Sequence, residues 1–507
     1  MTRVTMTHTR DGAVQGYFTG QCLLFAGIPY AAPPSGERRF RPPEPPEPWT
    51  GVRDTTQFGP IQPQSPSRFE RFYGTDLQRQ SEDSLCLNIW TPAVDDHPRP
   101  VFVFIHGGAF VSGSGSLPMY HGASFATRHD LVAVTLNYRL AEGGSLYLGH
   151  LGPEFSTSGN TGLLDQIAAL RWVRDNIAAF GGDPDNVTIC GQSAGGHAVL
   201  ALMTSPHATG LFHRAISQSL ARLTPLRTRS EAIETTERFR SYAGVRTIEA
   251  LQRLDLETLL SARRHVMQTT PPWQTPWGTL VDHEVILEQP LAAAAAGRLA
   301  PIPLLIGACH DDYQPYPHVL PPDTVPKDEG ALIQHFDRLD LDGASLVQAY
   351  REWLGPVEPV ALFVAAMSDF TFCQPAIHVA ERHAAHHAVY AYDFRWASPV
   401  QDGAMGAGHT VDIPFAMHTL WTPHTPYHLG DYPPVSLADQ MHEAWSTFAR
   451  TGQPSASGLS DWPRYDATQQ LTMALDTTSS VQRDPQTERR LYWAEQIYRC
   501  SGLLLES

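Results

Sequence analysis

Short, almost unbroken apolar runs recur along the chain at Leu85–Trp90, Val101–Ile105, Leu131–Thr135, Val187–Cys190 and Pro303–Ile306. A strand covered on both faces has no polar side to alternate with, so such runs predict interior strands of a sheet flanked by helices. Within Thr161–Ala179, Leu164, Ile167, Leu170, Val173 and Ile177 recur at steps of three and four, which predicts an amphipathic helix closed by Gly181-Gly182. Strands alternating with helices predict an α/β fold with a mostly parallel central sheet, whose ligands gather at the carboxyl ends of the strands.

Other stretches break this rhythm. Pro33–Pro48 is rich in proline, which lacks the N–H a sheet or helix interior requires, and reads as an ordered surface loop. Arg222–Met267 and Gly330–Leu354 are helical in pattern and charged, and read as helical cap insertions over roughly 222–290 and 325–385 of a single catalytic domain spanning 1–507. Ala292–Ala296 reads as part of a helix. No internal repeat or domain-separating linker is visible.

Composition narrows the function classes. Apolar residues make up 42% and charged residues 17%, a balance that builds a packed core rather than a disordered chain. Lys+Arg 36 against Asp+Glu 52 leaves −16, a field that repels nucleic-acid phosphates and anionic membranes. Lys327 is the lone lysine. The start, Met1–Gly16, has no apolar leader core, and no apolar run approaches the roughly 18 residues that span a bilayer, so a soluble, cytoplasmic protein is expected. The 6 cysteines, Cys22, Cys86, Cys190, Cys309, Cys373 and Cys500, are scattered without CxxC spacing or a nearby His pair. Free thiols and no metal site are therefore expected. Cys190 and Cys309 end apolar runs and read as small buried hydrophobes rather than nucleophiles.

Two stretches carry chemistry. Val187–Cys190 leads into Gly191-Gln192-Ser193-Ala194-Gly195, followed by a helical pattern toward Leu202. A sharp strand-to-helix turn leaves no room for side chains at the glycines and presents one hydroxyl at its apex, and the helix N-terminus favours negative charge there. The bare pattern reads equally well as a Gly-rich turn with a capping serine. Its strand-before, helix-after setting favours Ser193 as a nucleophile.

After the run Val101–Ile105 comes His106-Gly107-Gly108-Ala109-Phe110. Adjacent small residues let consecutive N–H groups face one oxygen, so Gly108, Ala109 and Ala194 could form an oxyanion hole, each donor typically worth about 3 kcal/mol. His106 alone reads as a packed core histidine. Gln192, His106, Phe110 and His197 are candidate pocket residues.

From about Phe25 to Pro485 the chain resembles the carboxylesterase type B (cholinesterase-like) family of α/β-hydrolases, including its bacterial para-nitrobenzyl-esterase-like members. The matching blocks are FAGIPYAAPPSGERRFRPPEPPEPW, SEDSLCLNIWTP, HGGAFVSGSGS, NYRL, GNTGLLDQIAALRWVRDNIAAFGGDPDNVTICGQSAGG, LFHRAISQS and AWSTFARTGQPSASGLSDWPRYD. The resemblance implies an α/β-hydrolase fold and a Ser, acid, His order along the chain. It places the acid on Asp312, where the family usually has Glu, with Asp311 the competing choice. It places the histidine on His409 within GAGHTVDIPF, one of 23 histidines. The shorter Asp arm requires the histidine loop or the Asp312 backbone to move closer.

Several positions depart from the family pattern. Ser84 replaces a cysteine often found in a disulfide, AEGGSLYLGH follows NYRL, and Tyr313 and QPYPH follow the acid. Gln192 stands where relatives often have Glu, which implies neutral esters over quaternary ammonium ones.

The resemblance thus implies a serine carboxylesterase that forms an acyl-enzyme on a small-molecule ester, with no cofactor and no nucleic-acid or membrane partner. The same triad could cleave carbamates, amides or lactones, and some family members are non-catalytic binding proteins. Monomer and homodimer are equally compatible with the sequence.

Overall fold

A computed structural model describes residues 4–67, 69, 78–221, 226–271 and 274–500, with side chains through residue 496. Residues 222–225 and 272–273 of the expected first insertion, and the Cys500 side chain, lie outside the described residues.

The described strands form one sheet: β1 (Val4–His8), β2 (Ala13–Phe18), β3 (Leu23–Pro29), β4 (Val52–Asp54), β5 (Cys86–Thr91), β6 (Arg99–Ile105), β7 (Val132–Leu136), β8 (Gly182–Gln192), β9 (Arg214–Gln218), β10 (Leu304–Cys309), β11 (Val389–Phe394), β12 (Leu471–Leu475) and β13 (Ser480–Arg483). Their order is β1-β2-β3-β5-β7-β6-β8-β9-β10-β11-β12-β13, with β4 beside β2. Every pair from β7 to β12 is parallel, and the pairs toward each edge of that order are antiparallel. Strands β5, β6, β7 and β10 are buried along their whole length, which is why they appear as unbroken apolar runs. The fold is that of an α/β-hydrolase.

The interior strands β9 (RAISQ) and β11 (VYAYDF) have no such run, because buried polar side chains interrupt them. Gln218 and Asp393 spend those positions on hydrogen bonds within the fold. The amphipathic helix is α-helical over Thr161–Asn176, tightens to a 3₁₀ turn at Ile177–Phe180, and stops where Gly181 adopts φ 75°. The proline-rich segment carries one 3₁₀ turn, Gly36–Arg38, and pairs with no strand.

The charged segments are helical as expected. Helices Arg229–Ala243 and Leu256–Thr269 pack on each other, the first opened by a Thr228/Glu231 capping box. Helices Glu329–Asp337 and Gly343–Leu354 pack together and against Pro359–Ser368. That last helix continues through a π turn, Asp369–Cys373, into Gln374–Ala384. Pro375 has no N–H to donate, and a wider turn just before it accommodates the missing bond. The combined span Pro359–Ala384 is long and apolar enough to cross a bilayer, contrary to the expectation that no run would be, but 78% of its apolar window is buried inside the protein. The described cysteine side chains, Cys22, Cys86, Cys190, Cys309 and Cys373, are all buried and free.

Candidate active site

Strand β8 passes into helix Ala194–Thr204 through Ser193, at φ 59° and ψ −122°. Few non-glycine residues occupy that region, and the surrounding packing holds this one in it. A Cβ on Gly191 would lie 2.3 Å from Gly195 O, and one on Gly195 would lie 2.0 Å from Ile105 O. The turn is therefore closed to any side chain at those two positions. Ser193 N donates to Gln218 O at 3.0 Å, and Ser193 O accepts from His197 N at 2.9 Å, so both neighbours pin the apex.

The end of β6 meets this turn. A Cβ on Gly107 would lie 2.7 Å from Gln192 O and 3.0 Å from Ser193 Cβ. Gly108 at φ 114° leaves no space beside Ser112 O, where a Cβ would come to 2.0 Å, and Ala109 and Phe110 follow at φ 54° and 60°. Alanine tolerates the left-handed conformation at a cost of about 1 kcal/mol. Gly108 O accepts from Val111 N and Ser112 N, both at 3.0 Å, which curls the segment back on itself. Among the described residues, the N–H groups of Gly108, Ala109 and Ala194 donate to no protein acceptor.

His106 is buried and stacks on Tyr138 at 4.4 Å, with Nδ1 2.8 Å from Gly107 O, while the Tyr138 hydroxyl donates to His106 O at 2.8 Å. Its ring packs on Tyr138 at the strand end. His197 lies 3.0 Å from Ala221 O through Nδ1 and 2.7 Å from Thr279 Oγ1 through Nε2, with Phe110 edge-on at 5.4 Å. It ties the helix after Ser193 to Thr279 and supports Phe110 from behind.

Asp312 sits past the end of β10 and is completely buried. Its Oδ1 lies 2.5 Å from His409 Nδ1, its Oδ2 accepts from Cys309 N at 3.0 Å, and its backbone carbonyl accepts from His409 N at 3.0 Å. The backbone bond draws the two segments together and supplies the approach that the shorter Asp arm requires. Asp311 makes no hydrogen bond with His409 among the described residues. Its backbone N donates to Ala407 O at 3.0 Å, and burial raises its carboxyl above the usual range.

The Gln192 amide nitrogen is 3.2 Å from His409 Nε2 and 3.5 Å from Nδ1. Near-equal distances to both ring nitrogens put the amide over the ring face rather than in line with Nε2. No hydrogen bond of 3.5 Å or less joins Ser193 Oγ to His409 among the described residues. Such bonds commonly tighten only when substrate is bound.

The sequence pattern gave no sign of the aromatic wall around this histidine. Phe372, on the π turn, lies 4.6 Å from the His409 ring, Tyr316 5.7 Å and Phe69 6.1 Å, and Tyr313 stacks on Tyr316 at 4.1 Å. Tyr316 of the unusual QPYPH stretch, with Tyr313 stacked on it, thus lies along one side of His409. A second carboxyl, Asp412, is completely buried and accepts from Gln218 Nε2 at 2.8 Å and Tyr392 OH at 3.2 Å. Burial, with a further push from Asp312, raises it to about 6. No group of three His, Cys, Asp or Glu side chains among the described residues is placed to hold a metal.

Comparison with known proteins covers almost the whole chain. The model of the carboxylesterase family matches residues 3–493. A para-nitrobenzyl esterase from Bacillus subtilis is 36% identical over 502 residues, covering 96% of this chain and 98% of that protein. A phenmedipham hydrolase from Pseudarthrobacter oxydans is 34% identical over 495 residues, covering 94% and 97%. The crystal structure of a Geobacillus stearothermophilus carboxylesterase superposes with a TM-score of 0.88 at 38% identity, over 96% of this chain and all of that one.

Proposed function

The chain belongs to the carboxylesterase family and is a carboxylic ester hydrolase, and from that premise we propose that Ser193, His409 and Asp312 carry the reaction. The supporting observation is the buried 2.5 Å contact between His409 Nδ1 and Asp312 Oδ1 beside the strained Ser193 turn. Asp312 holds the proton on Nδ1, so the Nε2 lone pair faces outward as the base. Ser193 Oγ attacks the ester carbonyl while His409 takes its proton. The N–H groups of Gly108, Ala109 and Ala194, which donate to no acceptor among the described residues, receive the oxyanion. Collapse breaks the bond to the alkoxide, which takes the proton from His409 and leaves as the alcohol. Water then attacks the acyl-enzyme by the same route, releasing the carboxylic acid and restoring Ser193. The reaction balances without a cofactor.

The Gln192 amide over the imidazole brings no carboxylate to attract a quaternary ammonium, which supports uncharged esters as substrates. The helical segments within 226–271 and 329–384 form the cap of this reading. Buried free thiols fit a reducing, cytoplasmic setting. The test is a chromogenic ester panel of increasing acyl length, run beside organophosphate labelling read by intact mass. One adduct, on the peptide containing Ser193, together with ester turnover is expected. Turnover without an adduct at Ser193 would reject the assignment.

A further inference from the structure

Immediately after His409, Thr410 sits at φ 77°. For a β-branched residue this is an outlier that costs about 1–2 kcal/mol, so something must hold it there. Its Oγ1 lies 3.0 Å from His428 Nε2, and both side chains are buried. His428 is itself anchored: its carbonyl accepts from Ser398 Oγ at 2.8 Å, and Ser398 N donates to Gly406 O at 2.8 Å, just upstream of His409. Downstream, Thr410 O accepts from Ile413 N at 3.2 Å. Hydrogen bonds through Ser398, Gly406, Thr410 and His428 therefore brace the turn carrying His409 from both sides. Burial, aided by the neighbouring His409, lowers His428 to about 3, so it stays neutral and adds no positive charge beside a base that must accept a proton.

We propose that His428 is a positioning residue that acts through Thr410, clamping the strained turn so that the His409 imidazole keeps its bond to Asp312 while facing Ser193. The proposal rests on the reading of His409 as the general base. If Thr410 relaxed to an ordinary negative φ, the backbone leaving His409 would swing and carry the ring with it, and misplacement by about 1 Å can cost a hundredfold in rate.

The test uses Thr410→Val, which keeps the shape and removes the hydroxyl, Thr410→Ser, which keeps the hydroxyl, His428→Phe, and the double variant Thr410→Val/His428→Phe. Active sites are counted by organophosphate titration so that only folded enzyme is compared. Thr410→Val and His428→Phe should each lower kcat about tenfold with KM changed less than about twofold, because positioning acts on the transition state more than on binding. The double variant should be no slower than either single one, and Thr410→Ser should keep the parental kcat. Parental kcat in Thr410→Val, or losses that multiply in the double variant, would overturn the clamp. If His428→Phe does not fold, the Val and Ser variants at 410 still decide. An unmodified chain that hydrolyses no ester overturns the assignment of His409 and the clamp with it. Active parental protein with an unaffected Thr410→Val rejects the clamp alone.

Discussion

The two halves of the site are built on different principles. On the Ser193 side, one continuous segment carries the nucleophile: β8, the turn and the helix Ala194–Thr204 follow one another, and glycines at 191 and 195 let backbone pack against backbone, that of the neighbouring β6 included. On the His409 side, three segments distant in sequence meet: the end of β10, the loop Gly406–Phe415 and the π turn Asp369–Cys373. Excluded volume is added to backbone hydrogen bonds in the first half, whereas the second rests on hydrogen bonds and ring packing. A steric constraint fails abruptly when an atom is added, whereas a network of hydrogen bonds yields by degrees. This contrast sets the order of the mutational effects.

Removal of the apex hydroxyl is the severest break. Ser193→Ala should lower kcat about a millionfold while leaving thermal unfolding unchanged, checked by ester turnover and calorimetry. On the other side, Asp312→Asn keeps the shape and loses the charge that selects the His409 tautomer. A drop in kcat of about ten-thousandfold is expected from steady-state kinetics, and near-parental turnover would transfer the acid role elsewhere.

The steric half is probed by Gly195→Ala, whose Cβ would come 2.0 Å from Ile105 O. Overpacking against an immovable strand should cost about 3 kcal/mol in denaturant unfolding. Equal stability would show that the turn yields after all.

The smallest effect sharpens the electrostatic side. Gln192→Glu puts a carboxylate over the His409 ring, where it stabilises the imidazolium. Less of the base is then neutral at a given acidic pH, so the acid limb of kcat/KM should move upward by roughly one pH unit. An unmoved limb would mean that the side chain has turned away from the ring.

The same contrast explains what the sequence alone discloses. The Ser193 turn was legible because its causes are local: a strand, small residues at fixed offsets and a helix, all within Val187–Leu202. The interior strands β5, β6, β7 and β10 were legible because most of their buried positions are apolar. Asp312 and His409 were singled out only through the resemblance, since nothing in their own surroundings distinguishes one histidine among 23. Strand β9 was missed because its polar residues serve buried hydrogen bonds, Gln218 to Asp412 among them. Phe372, Tyr316, Asp412 and His428 were assigned no role because their meaning arises only when remote segments fold together.

The apolar helical span Pro359–Ala384 packs against β10, which precedes it, but also against β11 and the helix Thr487–Cys500, which follow it. As the polypeptide leaves the ribosome, β10 is already available to this greasy stretch and β11 follows it closely, but its cover stays incomplete until the distant helix Thr487–Cys500 has been made. Apolar surface left open in this way is what chaperones bind. Acquiring the native state is thus a race between shielding by the chain's own tail and capture by others, and trimming that tail should be felt first as poor yield rather than as slow turnover.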